Sequence, residues 1–186
     1  MSSTPGKSTS AGPRTRLYFA WSVVLDAAER SASLQRQGHG GFRLPAGMVA
    51  EARGLDMAYT QASERWGGRV AALVRKPAGA VFGLLFEVPV PDWPILQAVE
   101  GVKSGEGVEL EVEVLAGGKT VKATAFTPAP ERATSVGPVS QRYASTLARG
   151  AREAGLPAAY VTKLEAEAMI LERVQGFGQR MGLEKP

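Results

Sequence analysis

Val108-Glu109-Leu110-Glu111-Val112-Glu113-Val114-Leu115-Ala116-Gly117-Gly118-Lys119-Thr120-Val121-Lys122-Ala123-Thr124-Ala125 is the stretch on which the fold turns. Apolar residues at 108, 110, 112 and 114 alternate with glutamates at 109, 111 and 113. That period of two puts one strand face on a core and the other in water. Gly117-Gly118 is a two-residue turn signal, because tight hairpins demand a positive φ that glycine takes freely. Counting outward pairs Val114 with Val121, Val112 with Ala123 and Leu110 with Ala125, and sets Glu113 opposite Lys122. Pattern, turn and cross-strand charge all predict an antiparallel hairpin.

Three apolar runs precede it. Leu17 to Trp21 predicts a buried strand, Arg69 to Val74 a second, and Ala80 to Val88 a third whose lack of strict alternation implies cover on both faces. Lys76-Pro77-Ala78-Gly79 reads as a turn between the last two. Residues 31 to 68 are weakly patterned and predict short strands separated by loops. Ser22 or Asp26 can cap a short helix through Ala27, Ala28 and Glu29, and Pro91 to Val99 reads as another, with Trp93, Leu96 and Val99 on one side. Pro128 and Pro130 end the hairpin sheet. Beyond them Ser140 can cap a helix carrying Tyr143, Leu147, Ala151 and Ala154 and stopped by Gly155. Pro157 opens a last helix carrying Tyr160, Leu164 and Met169 or Ile170. Strands early and helices late predict an α+β fold, with residues 1–14 a flexible tail, 15–175 one domain and 176–186 a C-terminal extension.

Composition narrows the chemistry. The chain has 186 residues, no cysteine and a single histidine, His39. Disulfides, thiol catalysis and cysteine-ligated metals are excluded, and no metal or cofactor is expected. Without a long apolar run or an apolar leader the expected compartment is the cytoplasm, with no membrane partner. The net charge of +4 is concentrated at the start, where Lys7, Arg14 and Arg16 supply three charges. The near-neutral remainder carries no basic run or aromatic-spaced motif, so no nucleic-acid partner is expected.

Few residues can carry chemistry. His39 lies among glycines that can form an anion nest, but a lone loop histidine ordinarily faces solvent. Glu109, Glu111 and Glu113 resemble paired carboxylates, yet their alternation is what a wetted strand face requires. Glu100 differs, because it closes a short apolar helix between Val99 and Gly101-Val102. Desolvation there would raise its pKa into the range useful for proton transfer, while an exposed or salt-bridged carboxylate is the alternative.

Leu96-Gln97-Ala98-Val99-Glu100-Gly101-Val102-Lys103-Ser104-Gly105 closely resembles the catalytic-glutamate stretch of the gamma-glutamylcyclotransferases, where an acidic residue inside EGVKSG transfers protons. Leu17-Tyr18-Phe19-Ala20 resembles the start of that family's first strand, LYFAYGSN, and Trp66-Gly67-Gly68 and Ala80 to Phe86 resemble later blocks. Pro138 to Leu164 resembles its late block, with Gly150-Ala151, Gly155-Leu156-Pro157 and Tyr160 in step. The likeness runs over about residues 16 to 165. It implies a small mixed β-barrel with surrounding helices, of the gamma-glutamylcyclotransferase-like type. It also implies lyase or acyltransferase chemistry releasing 5-oxoproline, or a related cyclic product, from a small gamma-glutamyl or aminoacyl amide. Glu100 would be catalytic, and Tyr18, Ala20, Trp21, Ser22, Val23 and Tyr143 would bind substrate.

Trp21-Ser22-Val23-Val24 stands where the family has Tyr-Gly-Ser-Asn, and Gly107 where a tyrosine is common. The lost loop motif keeps a second reading open, a non-catalytic binding descendant of the same fold. Exposed edge strands in so small a sheet are compatible with a homodimer.

Overall fold

The computed structural model describes residues 14–180. The tail expected over 1–14 therefore lies, apart from Arg14, outside the described residues, as does the end of the extension expected over 176–186. Five strands, β1 (Thr15–Ala20), β2 (Met48–Ser63), β3 (Gly68–Pro89), β4 (Gly107–Ala116) and β5 (Lys119–Pro128), are joined by four helices. These are α1 (Ala27–Arg36), α2 (Trp93–Val99), α3 (Gln141–Glu153) and α4 (Ala158–Arg180). The class is α+β.

The strands lie in the order β1-β3-β2-β4-β5, and β1 returns to β5. That closure is slight. The two strands run parallel and share only the pair Tyr18↔Thr124, and β2 meets β4 over just three pairs, from Ala50↔Ala116 to Ala52↔Val114. The expected small β-barrel is corrected accordingly to a mixed, rolled sheet. Its long ladders are β1–β3, β2–β3 and β4–β5, and its seam is one residue pair wide.

The β4–β5 hairpin has the predicted register, Val114↔Val121, Val112↔Ala123 and Leu110↔Ala125, around Gly117 and Gly118 at φ 55° and 78°. Glu113 does face Lys122, but the ammonium bonds Glu111 instead, at 2.8 Å. Two expectations fail nearby. The region 31–68 holds most of a ten-residue helix and a sixteen-residue strand rather than several short strands. The turn at 76–79 is a bulge inside one strand: Arg53 pairs with Ala80 and Leu55 with Arg75, so four β3 residues oppose Gly54 alone.

Apolar side chains fill the roll. Tyr18 contacts Phe86, Trp93 and Phe126 with ring centroids 5.5–6.5 Å apart, and small Ala50, Ala52, Ala123 and Ala125 make room for them. Asp26 caps α1 by accepting from the Glu29 amide, and Ser140 caps α3 through the Tyr143 amide. On α4 Tyr160 and Leu164 are buried as expected, but Met169 and Ile170 are 47% and 60% exposed and Ala168 faces inward in their place. Among the described residues no helix is long and apolar enough to cross a membrane.

Candidate active site

A cavity of about 670 Å³ opens at the end of the sheet where β1 finishes and β4 begins. Glu100 enters it from the C-terminal end of α2. The segment after Glu100 explains why. Gly101 turns the chain with φ +75°, and its carbonyl accepts from the Glu106 amide (2.9 Å), the Gly107 amide (3.0 Å) and Ser104 Oγ (3.1 Å). Gly107 packs so closely that a Cβ there would lie 2.2 Å from the Glu100 carbonyl oxygen. A tyrosine, common here in the family resembled, cannot occupy this position without moving the Glu100 backbone.

Tyr18 Oη donates to Glu100 Oε1 at 2.6 Å. Burial pushes the Glu100 carboxyl up to about 7, and the Tyr18 bond opposes that rise without cancelling it. The residue as a whole is half-buried, and its accessible part lines the cavity. Tyr18 itself is buried beside a carboxyl, which drives its phenol well above the ordinary tyrosine value and keeps it a donor. A carboxyl poised near neutrality and oriented by a phenol can accept and return protons at physiological pH.

Trp21, Ser22 and Tyr143 line the same cavity. Trp21 directs its indole N–H to the Phe126 carbonyl at 2.7 Å, which fixes the β1 exit. Ala20 is buried and Val23 begins a short 3-10 turn, Val23–Leu25; neither lines the cavity. Tyr143 rests edge-on to Trp66, with centroids 5.3 Å apart, and burial raises its phenol far above the ordinary value. His39 and Glu111 take no part. Glu109 is spent outside, accepting from Trp93 Nε1, Gln97 Nε2 and Arg16. These bonds hold α2 against the sheet.

Sequence reasoning did not single out Gln61, Arg65, Thr127 and Arg132, which also line the cavity. Gln61 and Thr127 are buried polar residues in strands, a signal that exposure alone could have supplied. Among the described residues no group of three His, Asp or Glu side chains is placed to hold a metal ion.

The AIG2-like family model matches residues 80–164, the segment that contains Glu100 and the hairpin. Gamma-glutamylcyclotransferases of mouse and human are 32% and 31% identical over 105 and 115 residues. Over these stretches the chain is similar to the AIG2-like family and to the gamma-glutamylcyclotransferases. The aligned stretch covers 56% and 60% of it and only 54% and 60% of those relatives, so it spans little more than half their length. A solved gamma-glutamyl cyclotransferase has the same fold, with a TM-score of 0.67 and 26% identity, covering 82% of this chain and 87% of that one. These family members are named cyclotransferases. The expectation of acyltransferase chemistry is corrected on that ground: a cyclotransferase of this kind moves the acyl group onto an amine of the same molecule rather than to a second acceptor.

Proposed function

We propose that the protein cyclises gamma-glutamyl amides, releasing 5-oxoproline and a free amine, with Glu100 as the proton-transfer group. The observation that carries this reading is a desolvated Glu100, hydrogen-bonded by Tyr18, on the wall of a cavity shared with Trp21 and Ser22. In the reaction Glu100 takes a proton from the substrate α-ammonium. The freed amine attacks the γ-carbonyl carbon, and a five-membered ring and an oxyanion form. The oxyanion collapses and the old amide C–N bond breaks as protonated Glu100 returns the first proton to the leaving nitrogen; the ring nitrogen, which still carries two protons, then gives up its second through the freed Glu100 carboxylate to the departing amine, which leaves as an ammonium. Because the attack is intramolecular, holding the folded substrate supplies much of the acceleration.

Each residue has a place in this scheme. Tyr18 positions the carboxylate rather than touching substrate. Trp21, Ser22 and Tyr143 bound the glutamyl group. Of the turn from Ser22 to Val24 only Ser22 lines the cavity, and its backbone amide is the donor this turn offers to the oxyanion or α-carboxylate. The altered turn favours a second reading, a binding protein that keeps the cavity without turnover. Incubating the purified protein with a panel of gamma-glutamyl amides and measuring 5-oxoproline separates the two. Release supports the cyclotransferase reading, and none from any amide contradicts it.

A further inference from the structure

A second cavity of about 390 Å³ adjoins the first, and Arg65 and Trp66 line both. Its remaining walls are Glu29, Arg36, Arg142 and Thr146, so three guanidinium groups meet one carboxylate. Glu29 is shared: its Oε1 accepts from Arg36 at 2.9 Å and also from Arg65. Arg142 donates to the Arg65 backbone carbonyl, and among the described residues no carboxylate pairs with it. Arg65 and Arg142 lie with their guanidinium carbons 5.1 and 5.0 Å from the Trp66 ring centre. Thr146 is committed to the Arg142 carbonyl at 2.9 Å.

This wall repels a cation and suits an anion that offers two oxygens side by side. Guanidinium forks pair with carboxylate or phosphate through two parallel bonds, and two positive charges here exceed what Glu29 can neutralise. The indole adds a flat apolar surface along which a short methylene chain can lie. We propose that the second cavity is an anion subsite for the leaving amine, so that the preferred substrates are gamma-glutamyl amides whose amine ends in a carboxylate or phosphate-like group a few methylenes from the nitrogen. This rests on the cyclotransferase reading of the first cavity. It selects among leaving groups by charge and disfavours polyamines.

The test compares four amides that share the gamma-glutamyl head and differ at the tail: those of 4-aminobutyrate, 3-aminopropylphosphonate, 4-aminobutyramide and 1,4-diaminobutane. The expected kcat/KM for the anionic tails exceeds that for the carboxamide by about tenfold, through KM, and the ammonium tail is poorest. Arg36→Gln and Arg142→Gln each reduce the ratio of anionic to carboxamide tails towards one, Arg36→Lys retains part of it, and added salt weakens it. The carboxylate and phosphonate arms rank the two anions. An ammonium or carboxamide tail turned over as well as the anions, or a ratio unchanged in both glutamine variants, overturns the subsite. If no amide yields 5-oxoproline, the cyclotransferase reading alone fails, and calorimetric titration of the same amides decides this one. Tighter binding of the carboxylate tail than of the carboxamide, lost in R36Q, sustains it; equal binding overturns it.

Discussion

The two segments that meet at the first cavity are held in different ways. Glu100 to Gly107 is braced from within: two backbone amides, of Glu106 and Gly107, and the Ser104 hydroxyl converge on the Gly101 carbonyl. Trp21 to Asp26 is braced from outside. Its indole reaches Phe126, Arg30 donates to the Val24 carbonyl at 2.7 Å, and buried Asp26 pairs with Arg149 at 2.5 Å. A self-contained turn keeps its geometry only if its own short sequence is kept. A turn fastened by distant partners can exchange its side chains while the backbone path persists. Apart from Tyr18, the proton-transfer half of the site is therefore written in one eight-residue stretch, and the anion-holding half is spread over several elements.

The largest test of that contrast is Glu100→Gln, which preserves shape and removes the base. Turnover to 5-oxoproline should fall by a factor on the order of 10² to 10⁴. Stability should move the other way. A carboxyl whose folded value is raised to about 7 stabilises the fold fully below the unfolded carboxyl range and loses that contribution as pH rises through about 7. E100Q should therefore unfold at higher denaturant than wild type near pH 8, by up to on the order of 2–3 kcal/mol, with the gap closing near pH 4. Chemical denaturation at the two pH values reads the difference.

Gly107→Ala attacks the self-braced turn directly. Its added Cβ meets the Glu100 carbonyl oxygen at 2.2 Å, so a loss of about 1–3 kcal/mol in folding stability and a fall in turnover are expected together. An unchanged denaturation midpoint would mean that the turn is looser than its bonds imply. Tyr18→Phe keeps the aromatic packing and deletes one bond. The expected result is a loss of about tenfold in kcat, with the pH midpoint of activity shifted upward, because the carboxylate form loses its donor. A purely structural Tyr18 would leave that midpoint in place. The smallest effect is expected at the other segment. Val24 does not line the cavity, so Val24→Asn, which restores the family's amide, should change kcat/KM for simple gamma-glutamyl amino acids by less than about threefold. A gain well beyond that would show the turn's side chains still reaching the substrate.

The same contrast explains what could be read in advance. The β4–β5 register followed from uninterrupted alternation and a glycine pair, both local. β2 is as long as any strand needs to be, yet its inward residues pass from Ala50 and Ala52 to Leu55 across the shift at Gly54. The phase change and the small alanines erase the period of two that would have announced it. Glu100 was legible because apolar neighbours and a following glycine sit beside it in sequence. Gln61 and Thr127 reach the cavity only through pairing of distant strands, Arg132 reaches it from the 3-10 turn Pro130–Arg132 that follows β5, and Met169 and Ile170 looked like core although α4 turns them to solvent.

The central claim is that Glu100 transfers the proton during cyclisation, and its most direct test is the rate of 5-oxoproline release between about pH 5 and 9 in wild type and E100Q. Wild-type kcat/KM should climb through a midpoint near 7 as the carboxyl ionises, and E100Q should be slow and lack that limb. A wild-type profile without a limb near 7, or an E100Q rate equal to wild type, would contradict the claim.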